Sequence, residues 1–350
     1  MIFFGRKFRE KFIKRWIAPH QQSVTKKIVD HGFLHEKLSS PEGGHSANML
    51  LKYISSIYDR PRVENAIQWQ KYFLTKGTES YLKGQYIDSL NHLKSAVKVR
   101  CIEREAWCYF YDIFCEYNQK PLKDFSKAMK GGELVVAHIS CNARMPLALQ
   151  SAESFSDSCV KNVVVVGNED LPAYQYRFEI ESSILEVPAN DFYEGLPQKV
   201  AKFFLFLGAS SVDLPVLKVD DEILCNDLGR LKARLSDKIR KYGYGGGHIV
   251  DNPLLEECSY WHLNKCSEDK EINNTPYGML FIAPYVEGAY YWLNSETAAI
   301  LSKAVICHED YIKSEIYEDR AIGGILHRYG IRPTLVDLVG SGVLRRVTCS

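Results

Sequence analysis

Three adjacent carboxylates, Asp220-Asp221-Glu222, are the residues of this sequence whose types and spacing point most directly to chemistry. They follow the apolar stretch PVLKV and precede a second apolar stretch. Adjacent carboxylates repel one another unless water or a hard cation lies among them, and Mg²⁺ and Mn²⁺ take one or two carboxylates together with phosphate oxygens. The triplet therefore predicts either a divalent cation that meets a phosphorylated substrate or a solvated acidic turn.

The elements around the triplet predict an α/β fold with a mostly parallel sheet. Strands are predicted at Glu133–Cys141, Asn162–Gly167, Ser182–Pro188 and Pro215–Ile223, and helices over 146–155 and 197–207. Alternation of Val-rich strands with helices is typical of a parallel sheet covered by helices on both faces. In such sheets ligands bind beyond the carboxyl ends of the strands, where the triplet is expected to lie.

Residues 62–130 are predicted to be helical. Gly84, Tyr86, Ser89, Leu93 and Ala96 follow the spacing of a tetratricopeptide helix pair, and a degenerate unit follows. Such units bury their faces against neighbours, so we expect them to brace the next domain, with partner binding as the alternative. Gly131-Gly132 ends this region. The predicted organisation is a basic segment at 1–20, a small all-α tetratricopeptide-like region at 21–131 and an α/β domain at 132–350.

Composition excludes several classes of protein. A net charge of +1 argues against a basic nucleic-acid-binding surface, and 46% hydrophobic residues argue against a disordered chain. The first twenty residues carry six basic side chains against one acidic, and Phe4, Phe8, Phe12 and Trp16 form a helical stripe. Such a segment predicts attachment to an anionic membrane surface, or a helix packed on its own protein. The cysteines form no CxxC pair, which favours reduced thiols and predicts a cytoplasmic protein. With the basic segment, the protein would be peripheral on the inner face of the cytoplasmic membrane.

Four segments of the sequence resemble the β-1,3-galactosyltransferase and fringe-like glycosyltransferases. They are LKVDDEILCNDLGRL around the triplet, SYWHLNKC (Ser259–Cys266), APYVEGAYYWLNSETAAIL (Ala283–Leu301) and YEDRAIGGILHRYGIRP (Tyr317–Pro333). The resemblance spans about residues 133–335. It implies the nucleotide-diphospho-sugar transferase (GT-A) fold and an inverting, metal-dependent transfer of a hexose or N-acetylhexosamine. The donor would be UDP-galactose, UDP-GlcNAc or UDP-GalNAc, and the acceptor a glycan or lipid-linked glycan of a bacterial capsule or lipopolysaccharide.

The resemblance also implies roles for the residues that handle the donor. Glu222, where the family has Asp, would be the main ligand of Mn²⁺ or Mg²⁺, assisted by Asp221. Donor binding would fall to Asp220, Asp221, Arg144 and Lys218. The family adds a distal His ligand, for which His248, His262 and His327 remain open.

On the acceptor side the resemblance makes Asp319 the general base and gives Glu318 the task of orienting the acceptor or the base. A helix N-terminal pair stabilised by the helix dipole is the structural alternative. The predicted acceptor-binding residues are Trp261, Tyr285, Glu287, Gly288 and Tyr290. GYGGGH (243–248) is expected to be a mobile loop that closes over the donor.

Two other functions remain open. An inactive transferase-like scaffold could bind a glycan or a protein through the helical region. A different phosphate-handling metalloenzyme is disfavoured, because the sequence has no P-loop.

Overall fold

The computed structural model describes residues 63–99, 104–251, 257–267, 271–274, 277–279 and 283–347. The predicted membrane-binding segment at 1–20 lies outside these residues, as does the first part of the helical region. The described helices are α1 (Val63–Leu82), α2 (Tyr86–Val99), α3 (Arg104–Tyr117), α4 (Gln119–Met129), α5 (Met145–Ser154), α6 (Leu196–Ala209), α7 (Leu228–Lys241), α8 (Ser295–Cys307), α9 (Glu309–Ser314) and α10 (Glu318–Arg328). The described strands are β1 (Leu134–Ile139), β2 (Val160–Gly167), β3 (Arg177–Glu179), β4 (Ile184–Val187), β5 (Val216–Asp220), β6 (Ile223–Cys225), β7 (Tyr244–Gly246), β8 (Ile249–Val250), β9 (Glu257–Ser259), β10 (Tyr277–Met279), β11 (Tyr285–Val286), β12 (Tyr290–Leu293), β13 (Thr334–Leu335) and β14 (Leu344–Arg346).

Eight strands form the central sheet, in the order β13-β7-β12-β5-β1-β2-β4-β3. The inner strands run parallel, while β12 runs antiparallel between β5 and β7, and β3 runs antiparallel at one edge. Every residue of β1 is buried, as its apolar composition requires in a sheet covered on both faces. The prediction of an α/β fold with a mostly parallel sheet is confirmed.

The glycine-rich stretch predicted as a mobile loop contains strand β7, and that prediction is wrong. Tyr244–Gly246 is buried between β12 and β13. A Cβ atom on Gly245 would overlap the Thr334 carbonyl and lie 2.7 Å from the Trp292 ring. The glycines therefore allow a close approach of strands and a bulky indole, and not a hinge.

The helices α1–α4 share one hydrophobic core with the α/β part of the chain. Phe110 of α3 contacts Tyr174, and Phe125 of α4 contacts both Phe178 of β3 and Phe206 of α6. Ion pairs cross the same junction, including Lys94 of α2 to Glu309 of α9, 3.0 Å. The predicted change from helices to sheet near Gly131 is observed. The helices bury their faces against the α/β part of the chain as well as against each other. A bracing role fits this packing.

Within the described ranges, no helix combines the length and apolar character needed to cross a membrane. The cysteines described there are free thiols: Cys108, Cys115, Cys141, Cys159, Cys225, Cys266 and Cys307.

Candidate active site

The acidic triplet and the Glu318-Asp319 pair meet at one edge of the central sheet. Register pairs Ile139 at the end of β1 with Asp220 at the end of β5, so both parallel strands finish together. Antiparallel β12 begins at the same edge, where the Asp220 amide donates to the Ala289 carbonyl, 3.0 Å. The acidic triplet and Gly288 are thus brought to the carboxyl edge, where α/β sheets bind ligands.

Lys218 links the two acidic segments of the sequence. Its buried ammonium lies 2.6 Å from Asp220 Oδ1 and 2.6 Å from Glu318 Oε1, and it also donates to the Gly288 carbonyl. Burial alone lowers the pKa of Lys218, but the Asp220 and Glu318 carboxylates outweigh burial and raise it. The lysine is therefore a permanent cation that holds together segments 100 residues apart in the chain. Its contacts place it inside the protein beneath the edge, where it positions both acids.

Glu318 is fully engaged by its neighbours. Its Oε1 accepts from Lys218, and its Oε2 accepts from the Tyr291 hydroxyl, 3.0 Å. Burial raises the pKa of Glu318, and Lys218 opposes that rise. With both oxygens bonded, Glu318 is placed to set the local field and geometry, in line with the predicted role of orienting the base.

Asp319 is the second residue of helix α10 and is held by two backbone amides. Its Oδ2 accepts from Gly288, 2.9 Å, and its Oδ1 from Arg320, 2.7 Å. Burial, together with the adjacent Glu318 charge, raises the pKa of Asp319 to about 8. A carboxyl group that titrates near neutral pH suits general acid–base work, because its proton affinity is matched to the operating pH.

Each carboxylate of the triplet has a cationic partner in the protein. Asp221 lies 2.8 Å from Arg144 and accepts from the Ser140 hydroxyl, 2.7 Å. Glu222 pairs with Arg346 of β14 and lies 3.5 Å from Arg144. Burial raises the pKa of Asp221, against the opposing effects of Ser140 and Arg144. Both arginines are substantially exposed while Asp221 and Glu222 are largely buried, so solvent reaches these pairs from the arginine side.

The triplet has the oxygen chemistry of a magnesium or manganese site. Within the described part of the chain, no three His, Cys, Asp or Glu side chains form a preassembled metal cluster. Two carboxylates, Asp221 and Glu222, nevertheless lie side by side on Arg144, and two carboxylates with phosphate oxygens suffice for such ions. These residues fit a divalent cation that binds together with a diphosphate, provided that the arginines turn away.

The three histidines left open as the distal ligand occupy different places. His262 is fully buried and bonds through Nδ1 to the Tyr317 hydroxyl, 2.7 Å. His327 lies nine residues beyond Glu318 on α10, which is about 13 Å along the helix axis. His248 lies 3.5 Å from Glu287 on the surface. None of these contacts brings a histidine to the triplet.

The predicted acceptor residues separate into three near the acidic pair or on the surface (Trp261, Glu287 and Gly288) and two that are buried (Tyr285 and Tyr290). Trp261 is 56% exposed and meets the Tyr317 ring edge-on, with 6.4 Å between the ring centroids, and Tyr317 directly precedes the acidic pair in the sequence. Gly288 contacts Asp319 directly through its amide, and Glu287 precedes it on the surface. Tyr285 is buried against Gly323 of α10.

Tyr290 is not brought to the site. Its hydroxyl donates to the Val336 carbonyl, 3.1 Å, and accepts from the Leu338 amide, 2.8 Å. The ring packs in the cluster that also contains Val219, whereas Lys218 lies on the opposite face of β5. Alternation along β12 carries the signal for this placement.

Residues that the sequence did not single out complete the edge. Asp191 accepts from the Gly167 and Asn142 amides, each 2.7 Å, and from the buried Lys199, 2.7 Å. Lys199 also donates to the Ser140 carbonyl, 2.5 Å, and so fixes the backbone after β1. These contacts join residues distant in the chain, and no local spacing would reveal them.

No protein-family model matches the chain, and no curated protein matches it at a significant level.

Proposed function

We propose that the protein is an inverting glycosyltransferase with the nucleotide-diphospho-sugar transferase (GT-A) fold. It would transfer a hexose or N-acetylhexosamine from a UDP-sugar to a hydroxyl of a surface glycan. The observation that carries the proposal is the Lys218 bridge, which joins the acidic turn and the acidic pair at the carboxyl edge of an α/β sheet. Direct displacement needs charge neutralisation for the leaving diphosphate on one side and a carboxylate base on the other, and two such groups converge there.

The chain's own residues divide the work as follows. Asp319 takes the proton from the acceptor hydroxyl as that oxygen attacks the anomeric carbon, and the diphosphate leaves from the opposite face with inversion. Arg144, at the end of β1, meets the diphosphate, since a guanidinium pairs well with phosphate oxygens. Mn²⁺ or Mg²⁺ held by Asp221 and Glu222 would neutralise charge on the leaving group. Trp261 offers an aromatic face to the acceptor sugar ring.

An inactive scaffold is the second candidate function, and one observation favours it. Every carboxylate of the triplet already has a protein cation as partner without metal or donor, although Lys218 is shared between Asp220 and Glu318. The raised pKa of Asp319 argues for the enzyme, because a scaffold has no need of a buried carboxyl group that resists ionisation.

The test is UDP release from a panel of UDP-sugars, with and without Mn²⁺, in the presence of simple glycoside acceptors. A transferase releases UDP faster when an acceptor is added, and chelation by EDTA removes the release. If no UDP-sugar binds with metal present, the proposed function is wrong. Binding of glycans without any UDP release would support the scaffold.

Attachment to an anionic membrane through residues 1–20 is a separate part of the proposal. Sedimentation with vesicles of anionic and of neutral lipid, for the full chain and for a form lacking residues 1–20, tests it. Loss of binding to anionic vesicles on truncation is the expected result. Unchanged binding after truncation would remove the idea.

A further inference from the structure

Two exposed aromatic rings lie on a turn beside the acidic pair. Tyr260 and Trp261 are 57% and 56% exposed, and we call Tyr260–Ser267 the aromatic turn. Its backbone closes on itself, with the Leu263 amide donating to the Tyr260 carbonyl, 3.1 Å, and the Lys265 amide to the His262 carbonyl, 3.0 Å. Aromatic rings exposed side by side on an ordered turn present faces on which a ligand can stack.

The protein anchors this turn at both ends. At the far end, the Ser267 hydroxyl donates to Glu194, 2.6 Å, and the Ser267 amide bonds to the same carboxylate. At the near end, the fully buried His262 bonds to the Tyr317 hydroxyl, 2.7 Å. The turn itself is therefore anchored to the body of the protein through Ser267 and His262.

Tyr317 connects the aromatic turn to the proposed base. It is the N-cap residue of α10, and the Ala321 amide donates to its carbonyl, 3.0 Å, so Tyr317 sets where the helix begins. Asp319 follows two residues later. The Tyr317 ring also lies 6.4 Å from the Trp261 ring and 6.3 Å from the Tyr193 ring, both nearly perpendicular. Tyr317 thus meets the exposed indole through its ring and, through its backbone carbonyl, accepts a hydrogen bond from the first turn of the helix that carries Asp319.

We infer that the His262–Tyr317 pair positions the acceptor, by fixing the Trp261 ring relative to Asp319. The occupant is one pyranose ring, whose CH-bearing face stacks on the indole while a hydroxyl points to the carboxylate. This inference rests on the proposed glycosyltransferase function and identifies two positioning residues for it. Holding the two reacting groups in one geometry is a large source of rate acceleration, and small displacements diminish it.

Steady-state kinetics of Tyr317→Phe, which removes only the hydroxyl, test the inference. The acceptors are the p-nitrophenyl glycosides of galactose, N-acetylglucosamine and N-acetylgalactosamine. We expect the acceptor KM to rise about threefold to tenfold, the range that one hydrogen bond supplies. The donor KM should stay within about twofold of the wild type, because the donor side is untouched.

The matched control is Tyr176→Phe, which removes a buried tyrosine hydroxyl that donates to the Lys202 carbonyl, 3.3 Å, away from the site. Equal changes in donor and acceptor KM for Tyr317→Phe, or the same acceptor effect in Tyr176→Phe, would overturn the inference. If Tyr317→Phe does not fold, the acceptor KM and the donor KM are measured for Trp261→Ala, a substitution at an exposed position. An unchanged acceptor KM in that variant would refute the inference. A wild type that releases no UDP from any donor refutes the glycosyltransferase itself, which distinguishes the two failures.

Discussion

Replacement of Asp319 by Asn separates the catalytic role of this residue from its cost to the fold. The substitution keeps the shape of the side chain but removes its ability to take a proton. General bases contribute about 10²–10⁴-fold to rate, so kcat should fall by about that factor while the donor KM changes little. Because the pKa of Asp319 is about 8, only about a tenth of the wild-type molecules carry the basic form at pH 7. Wild-type activity should therefore rise about tenfold per pH unit below pH 8 and level off above it.

The same substitution, which lowers activity, should raise the stability of the fold at neutral and alkaline pH. The folded pKa of Asp319, about 8, lies above the ordinary value of 3.8, so the proton-linked stability is complete below pH 4 and is lost as the pH rises towards 8. At about 1.4 kcal/mol per pKa unit the loss is about 6 kcal/mol at most. Asn avoids this loss of stability. It also leaves one of the two backbone amides without its oxygen acceptor, which lowers the free energy of unfolding by about 1–3 kcal/mol. The variant should be a few kcal/mol more stable than the wild type above pH 8.

Urea denaturation at pH 5, 7 and 9 measures the stability change, and coupled detection of UDP measures the rate. Asp237→Asn, a highly exposed carboxylate on α7, is the matched control and should change neither. Transfer by Asp319→Asn within tenfold of the wild type at pH 8 would refute the assignment of the base. A stability difference that does not grow with pH would refute the account of its burial.

Three further predictions concern the bridge, the triplet and the helices. Lys218→Met leaves two carboxylates without their shared cation. It should destabilise the fold by about 3–5 kcal/mol in urea denaturation, whereas the same replacement of an exposed surface lysine should have little effect. Arg346→Ala removes a competitor for Glu222 and should tighten Mn²⁺ binding in the presence of UDP about twofold to fivefold by calorimetry, whereas the neighbouring exposed Arg345→Ala should not. Phe110→Ala should lower stability by about 3–5 kcal/mol within one unfolding transition, unlike the exposed Tyr109→Ala, and two separate transitions would contradict the shared core.

The sheet could be predicted from the sequence because its signals are local. Runs such as VVVV in β2 have no amphipathic period and are flanked by polar residues, which indicates strands buried on both faces. The position of the triplet at the end of β5 followed from the same pattern. The glycine stretch at 243–248 was read wrongly because composition alone cannot distinguish a hinge from a place where Trp292 and Thr334 approach a backbone closely.

The contacts that assemble the candidate site lay beyond prediction. The Arg346–Glu222 pair arises only because β14 pairs with β6, which joins residues 124 apart in the chain. The Lys218 bridge and the His262–Tyr317 bond likewise depend on how distant segments pack. Residue types showed which groups could act, but the distances between them are a property of tertiary packing and leave no periodic signal in one sequence.

The core shared by the helices and the sheet has a consequence for the birth of the protein on the ribosome. Among the described elements, helices α1–α4 emerge first, while α8, which packs against α2 and α6, ends about 190 residues after α3. At about 5–20 residues per second that interval lasts about 10 to 40 seconds. During this time the face of α2 that meets α8 lacks that neighbour, whereas Phe110 and Phe125 meet Tyr174 and Phe206 well before α8 is made. We therefore expect the shielding of these early helices during synthesis to affect the yield of folded protein, in addition to the stability of the finished molecule.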